Sequence, residues 1–217
     1  SSGDQPGVTP SEADLLDILV RAQSLRFLGP GDPTEHLSHA LGFRDAVITH
    51  LGSEPDRFCD LGTGGGVPGL VLAAKWPGSH GALVESSARR CAALEGWSRD
   101  LGIQDRVEVL HGRAEYWAHA DGFRESFQVV TARSFARPGI TAEIAAGLVR
   151  VGGTLVVSDP PDSPPERWPA PALSNLGFGP AIPVLERDVH FSCIDKVRKA
   201  DPTTPRSEGK PAKRPLW

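Results

Sequence analysis

Apolar positions along the chain follow two periods, and they change over near residue 53. In the N-terminal part Leu15, Ile18, Leu19, Ala22 and Leu25 recur every three or four residues, which predicts a helix with one buried face. Thr9-Pro-Ser-Glu12 reads as its start, with Thr9 as N-cap, Pro10 at the first helical position and Glu12 three residues after the cap. Leu28-Gly-Pro-Gly-Asp-Pro33 breaks that helix, and Thr34 is the expected cap of a second, with Leu37, Leu41, Val47 and Ile48 facing inward. Residues 1–52 are therefore expected to form an N-terminal helical cap on a larger unit.

From Arg57 the pattern becomes short apolar runs separated by helical stretches. Arg57–Leu61, Ala82–Glu85, Val107–Leu110, Gln128–Thr131 and Thr154–Ser158 read as buried strands. Val67–Lys75, Ala88–Leu101, Arg113–His119 and Ile140–Val149 read as the helices between them. Such alternation predicts an α/β fold, a mostly parallel sheet with helices on both faces and right-handed crossovers. Pro160-Pro-Asp-Ser-Pro-Pro165 can continue neither strand nor helix. Beyond it, Ala181–Glu186 and His190–Ile194 are expected as two final strands, antiparallel across Arg187-Asp188. The main domain is thus expected over residues 53–199, followed by a basic C-terminal tail, 200–217, lying along the surface.

Composition narrows the class. With 39% hydrophobic and 23% charged residues, the chain suits a globular protein with a core. No apolar run approaches the roughly 20 residues needed to span a bilayer. No basic-then-apolar secretion signal opens the chain, and Ser1-Ser-Gly3 lacks an initiator methionine. Cys59, Cys91 and Cys193 suit neither a disulfide framework nor a zinc knuckle, so reduced thiols in a cytoplasmic, metal-free protein are expected. The net charge of -4 conceals an asymmetry. From Asp195 onward seven basic residues face three acids, so the remainder carries an excess of about eight negative charges.

The densest chemical signal is Asp60-Leu-Gly-Thr-Gly-Gly-Gly-Val-Pro-Gly69, which leaves a strand and opens a helix. Glycine lets the backbone turn sharply and approach a ligand closely, and carboxyl ends of strands are where open α/β sheets bind ligands. Gly64, Gly66 and Gly69 also fit the dinucleotide spacing. An anionic pyrophosphate, however, gains nothing from a carboxylate such as Asp60 beside the loop. S-adenosyl-L-methionine, whose sulfonium and ammonium are cationic, fits that acid better. Glu85 at the end of the second strand is placed to accept ribose hydroxyls from either cofactor. Arg113, Ala114 and Glu115 follow the third strand, where backbone groups could bracket an adenine. Arg133 stands at the mouth after the fourth.

Together these segments resemble the bacterial small-subunit ribosomal RNA guanine-N7 methyltransferases, also called glucose-inhibited division protein B. The likeness rests on the glycine loop with its Val67-Pro-Gly69 ending, on Gly112-Arg-Ala-Glu115 and on Val130-Thr-Ala-Arg-Ser-Phe-Ala136. The tail Pro205–Leu216 is similar to that family's basic ending, and the likeness runs from about His36 onward. It departs in the N-terminal region. Phe27-Leu-Gly-Pro-Gly31 replaces an Asn-Leu-Thr stretch, and His39 and Ala40 stand where members carry Asp and Ser after His36.

The resemblance implies a Rossmann-like class I methyltransferase fold with a seven-stranded sheet. It implies cofactor contacts at Gly62, Val67, Ala114, Glu115 and Arg133, with Glu85 on the ribose; the loop reading adds Asp60, Gly64 and Gly66. Its implied partner is ribosomal RNA or the small ribosomal subunit, and the expected state is a monomer. Arg133 and Arg137 would position substrate phosphates or the cofactor carboxylate, and Arg206, Lys210, Lys213 and Arg214 would hold RNA electrostatically. Guanine N7 carries a free lone pair and can attack a sulfonium methyl without a base. The competing readings are a methyltransferase of the same fold acting on a small molecule or protein, a non-catalytic assembly factor, and a dinucleotide oxidoreductase.

Overall fold

The computed structural model describes residues 9–217, so the Ser1–Gly3 terminus lies outside the described residues. Helices α1 (Glu12–Ser24) and α2 (Pro33–Leu51) come first. The N-cap of α1 is Ser11, not Thr9. Ser11 and Asp14 form a reciprocal box in which the Asp14 N–H donates to the Ser11 hydroxyl (3.1 Å) and the Ser11 N–H to the Asp14 carboxylate (2.9 Å). The cap of α2 is likewise Asp32, which accepts from the Thr34 N–H at 2.8 Å, while Pro33 has no N–H to leave unsatisfied. Leu25 and Ile48, expected to face inward, are exposed. Leu25 lies past the last turn of α1, and Ile48 falls on the solvent side of the stripe that buries Ala40, Phe43 and Val47.

The sheet contains β1 (Arg57–Leu61), β2 (His80–Glu85), β3 (Val107–His111), β4 (Phe127–Ala132), β5 (Val149–Asp159), β6 (Phe178–Glu186) and β7 (Val189–Lys196). Its order is β3-β2-β1-β4-β5-β7-β6, with β7 antiparallel to both neighbours and all other pairings parallel. The order reverses between β1 and β4, which opens a crevice at the carboxyl ends of the central strands. The β6–β7 turn falls at Arg187 and Asp188, both with positive φ (51° and 59°), as a two-residue hairpin requires.

Helices α3 (Gly69–Lys75) and α4 (Ala88–Asp100) join α1 and α2 on one face of the sheet. Helices α5 (Ala114–Trp117), α6 (Pro138–Ala146) and α7 (Ala170–Asn175) cover the other, with α8 (Lys210–Lys213) against α6. The N-terminal helices share one apolar core with α3, α4 and the sheet. The differences from the sequence reading are largest at β5 and α7. β5 begins at Val149 rather than Thr154, because α6 ends at Ala146, and Val149 and Val151 are β-branched. Gly153 then passes so close to the Gln128 carbonyl that a Cβ would lie 2.6 Å away. α7, unforeseen between the prolines and β6, buries Leu173 over the end of the second core.

Candidate functional site

The carboxyl ends of β1 to β4 surround a cavity of about 400 Å³. Gly62, Glu85, Ala114 and Glu115 line it, as do Ser134, Phe135 and Ala136 from the turn after β4. Gly62 needs to be glycine on two counts. Its φ is +63°, and a Cβ there would lie 2.7 Å from the Phe135 ring.

Glu85 is almost fully buried at the end of β2. One carboxylate oxygen accepts from the Gly64 N–H (3.0 Å) and the other from the Ser87 N–H (2.9 Å). Each oxygen keeps acceptor capacity for a hydroxyl pair in the cavity. Arg90 from α4 also lines the wall, with its guanidinium 3.9 Å from Glu85. Across the cavity the buried Glu115 accepts from the Gly209 N–H at 3.2 Å and lies 3.5 Å from the Arg113 guanidinium.

Asp60 is not on the cavity wall. It is completely buried beneath the loop, where one oxygen accepts from the Gly69 N–H (2.9 Å) and the other from the Thr131 hydroxyl (2.7 Å). Burial pushes its carboxyl up to about 6, against the hydrogen bonds and the Arg133 charge that pull it down. Asp60 therefore ties the start of α3 to β1 and β4, and the cofactor contact expected of it is replaced by this structural bond. Gly64, Gly66 and Val67 also stand behind the wall. Gly64 lends its N–H to Glu85, Gly66 packs against Leu70 and Leu94, and Val67 is buried in the first core.

Arg133 points towards the N-terminal helices. Its guanidinium donates to His36 Nδ1 at 3.0 Å, and His36 Nε2 lies 3.1 Å from the Gly29 carbonyl. Because arginine only donates, Nδ1 accepts from Arg133, which leaves Nε2 to donate to the Gly29 carbonyl. Burial lowers the Arg133 pKa, opposed by the Asp60 carboxylate. His39 is pushed down to about 4, first by burial and then by the neighbouring Arg133 charge, so its ring is neutral at physiological pH. It lines a second cavity of about 380 Å³, together with Val157, Asp159 and His190. The two cavities share the Ser134–Ala136 segment as a wall.

The tail departs most from expectation. Lys196, counted with the basic tail, is buried and donates to Glu125 (3.0 Å) and to the Val149 carbonyl (3.1 Å). Arg206, expected on RNA, instead grips the buried Glu143 of α6, with Nε at 2.8 Å and Nη2 at 2.7 Å. Its guanidinium is held by an internal partner, which corrects its assignment to the substrate. Arg137, Lys210, Lys213 and Arg214 are exposed. Sequence reasoning missed Ala212, which reaches the cavity from the tail, and the wall formed by Ser134 and Phe135. The positive φ of Ser134 (50°) is visible only in the backbone.

The three cysteines are buried and unpaired. Among the described residues no helix is long and apolar enough to cross a membrane, and no cluster of three or more metal-type ligands is present.

A family model described as rRNA small subunit methyltransferase G matches residues 23–158. A curated relative named ribosomal RNA small subunit methyltransferase G, from Geobacillus thermodenitrificans, is 33% identical over 171 residues, covering 76% of this chain and 71% of its own. One of the same name from Geobacillus sp. (strain WCH70) is 32% identical over 193 residues, covering 85% and 80%. Among solved structures, an O-methyltransferase from Bacillus cereus in complex with S-adenosylhomocysteine superimposes with a TM-score of 0.58 at 16% identity, covering 88% of this chain and 94% of its own. An O-methyltransferase from Streptomyces achromogenes, involved in tomaymycin synthesis, gives 0.56 at 19% identity, covering 88% and 93%. At those identities the likeness concerns the fold, which is that of class I methyltransferases.

Proposed function

The chain belongs to the rRNA small subunit methyltransferase G family, and from that premise we propose that it transfers a methyl group from S-adenosyl-L-methionine to guanine N7 of small-subunit ribosomal RNA. The observation that carries this reading is the convergence of Gly62, Glu85, Ala114 and Glu115 on one cavity at the reversal point of the sheet. The residues fit the cofactor. Glu85, held by two backbone N–H groups, would offer its remaining lone pairs to the ribose hydroxyls. Backbone groups around Ala114 would flank the base, and Gly62 leaves room where a side chain would collide with Phe135.

When bound, the cofactor supplies a methyl group activated by its sulfonium. The protein aligns and excludes water. Ser134–Ala136 separates the cofactor cavity from the second cavity, where the acceptor base would enter beside the neutral His39. N7 has its own lone pair, so no residue need remove a proton. Holding nucleophile and methyl in line can itself contribute roughly 7–11 kcal/mol. Arg133, fixed by His36, supplies positive charge behind the loop, where it acts on the buried Asp60. The exposed Arg137, Lys210, Lys213 and Arg214 supply the hold on RNA phosphates.

The test is transfer of a tritiated methyl group from labelled cofactor onto small ribosomal subunits from a strain lacking this modification. The expected result is about one methyl per subunit, recovered as 7-methylguanosine after nuclease digestion. Label in another nucleoside, or in protein, would replace the acceptor. No transfer to any subunit preparation would overturn the reading.

A further inference from the structure

The tail runs across the cofactor cavity, anchored at two ends. At the near end the Arg124 guanidinium donates to the Thr204 carbonyl (2.7 Å), Pro205 is buried, and Arg206 clasps Glu143. At the far end the Trp217 indole donates to the Arg167 carbonyl at 3.1 Å. Both ends of α6 leave room for this path. A Cβ on Gly139 would lie 2.8 Å from the Trp217 carbonyl oxygen, and one on Gly147 would lie 2.7 Å from Pro205.

The stretch between the anchors is held more lightly. Ser207, Glu208, Lys210, Ala212 and Lys213 are exposed, and of this stretch only Pro211 is buried, where α8 rests on α6. A single backbone bond, from the Gly209 N–H to Glu115 at 3.2 Å, ties this stretch to the cavity wall, and Glu208 lies 3.8 Å from Arg113 at the same place. Ala212 on α8 faces the cavity alongside Ala114 and Ile140. Two firm ends and a loosely tied middle describe a strap.

We propose that residues 205–217 form a strap across the cofactor cavity, whose middle, 207–213, lifts from Glu115 to admit the cofactor and closes over its adenosine end. The proposal rests on reading the cavity as the S-adenosyl-L-methionine site. Its consequence is that part of the tail serves the cofactor as well as RNA. Lys210 and Lys213 lie on the strap itself, so phosphate that reaches them better in the closed position would favour that position. By linkage, the cofactor would favour RNA in return.

The experiment uses the full chain and S-adenosylhomocysteine. Hydrogen exchange followed by mass spectrometry should show slower exchange of the amides of 207–213 when the ligand is added. Ala212→Trp places bulk at an exposed position on the cavity wall, where the effect on folding is small. Calorimetry should show its affinity at least tenfold below that of the parent, with the melting temperature of the free protein unchanged. If exchange in 207–213 ignores the ligand and Ala212→Trp binds like the parent, the strap is not part of the site. If the parent itself fails to bind S-adenosylhomocysteine, the cofactor reading falls and the strap falls with it.

Discussion

The glycine loop after β1 and the tail from Pro205 end at the same cavity, but they get there differently. The loop is built from near neighbours in sequence and in the sheet. Asp60 bonds to Gly69, Glu85 bonds to Gly64, and Gly62 lies at the end of the central strand. The tail is held by partners 63 to 94 residues away, Glu143 and Glu115. A local motif therefore announces itself in a sequence. A segment whose role is fixed by distant contacts does not.

The sharpest way to break this contrast is at the loop. Gly62→Val combines an unfavourable φ of +63° with a Cβ 2.7 Å from Phe135. Affinity for S-adenosylhomocysteine should fall at least a hundredfold by calorimetry, and near-normal binding would remove the loop from the site.

The tail's anchor should matter next, and through stability. Arg206→Ala removes both guanidinium bonds from the buried Glu143 and leaves it only the residue-206 backbone N–H (2.9 Å), which costs about 2–3 kcal/mol given that the arginine is partly exposed. Denaturant midpoints would measure this; an unchanged midpoint would mean that the tail only rests on the surface.

Asp60 offers a smaller, pH-dependent contrast. Its carboxyl is raised to about 6 from 3.8, so the folded state binds the proton more tightly than the unfolded state. Its contribution is fully present below about pH 4 and is lost as pH rises through about 6. Relative to Asp60→Asn, the parent should lose stability across that window, with a slope of at most about 1.4 kcal/mol per pH unit, and show no further change above it. Parallel pH profiles would contradict the buried position of Asp60.

The smallest effect belongs to the outer face of the tail. Lys210→Ala with Lys213→Ala should leave the melting temperature unchanged, because both side chains are exposed. Subunit binding should weaken, and the slope of log affinity against log salt should become shallower by about 1–2. An unchanged salt slope would take these lysines off the RNA.

The sequence made β1 to β4 legible because buried parallel strands are short apolar runs, and β1 was placed at its observed ends, Arg57 and Leu61. The β6–β7 hairpin was legible from its turn. The direction in which Asp60 points was not. A carboxylate at a strand end can face the crevice or the helix, and packing of α3 against β1 and β4 decides which. Lys196 and Arg206 read as surface charge in the sequence because composition carries no information about partners as distant as Glu125 and Glu143. Ala212 carried no signal at all, since an alanine becomes a cavity wall only through where the chain brings it.

The claim beneath all of this is that the cavity between Gly62, Glu85 and Glu115 holds S-adenosyl-L-methionine. Calorimetric titration of the full chain with S-adenosylhomocysteine, alongside NAD, tests it most directly. One saturable site is expected for the former and none for the latter. Binding of NAD, or no binding of S-adenosylhomocysteine, would contradict it.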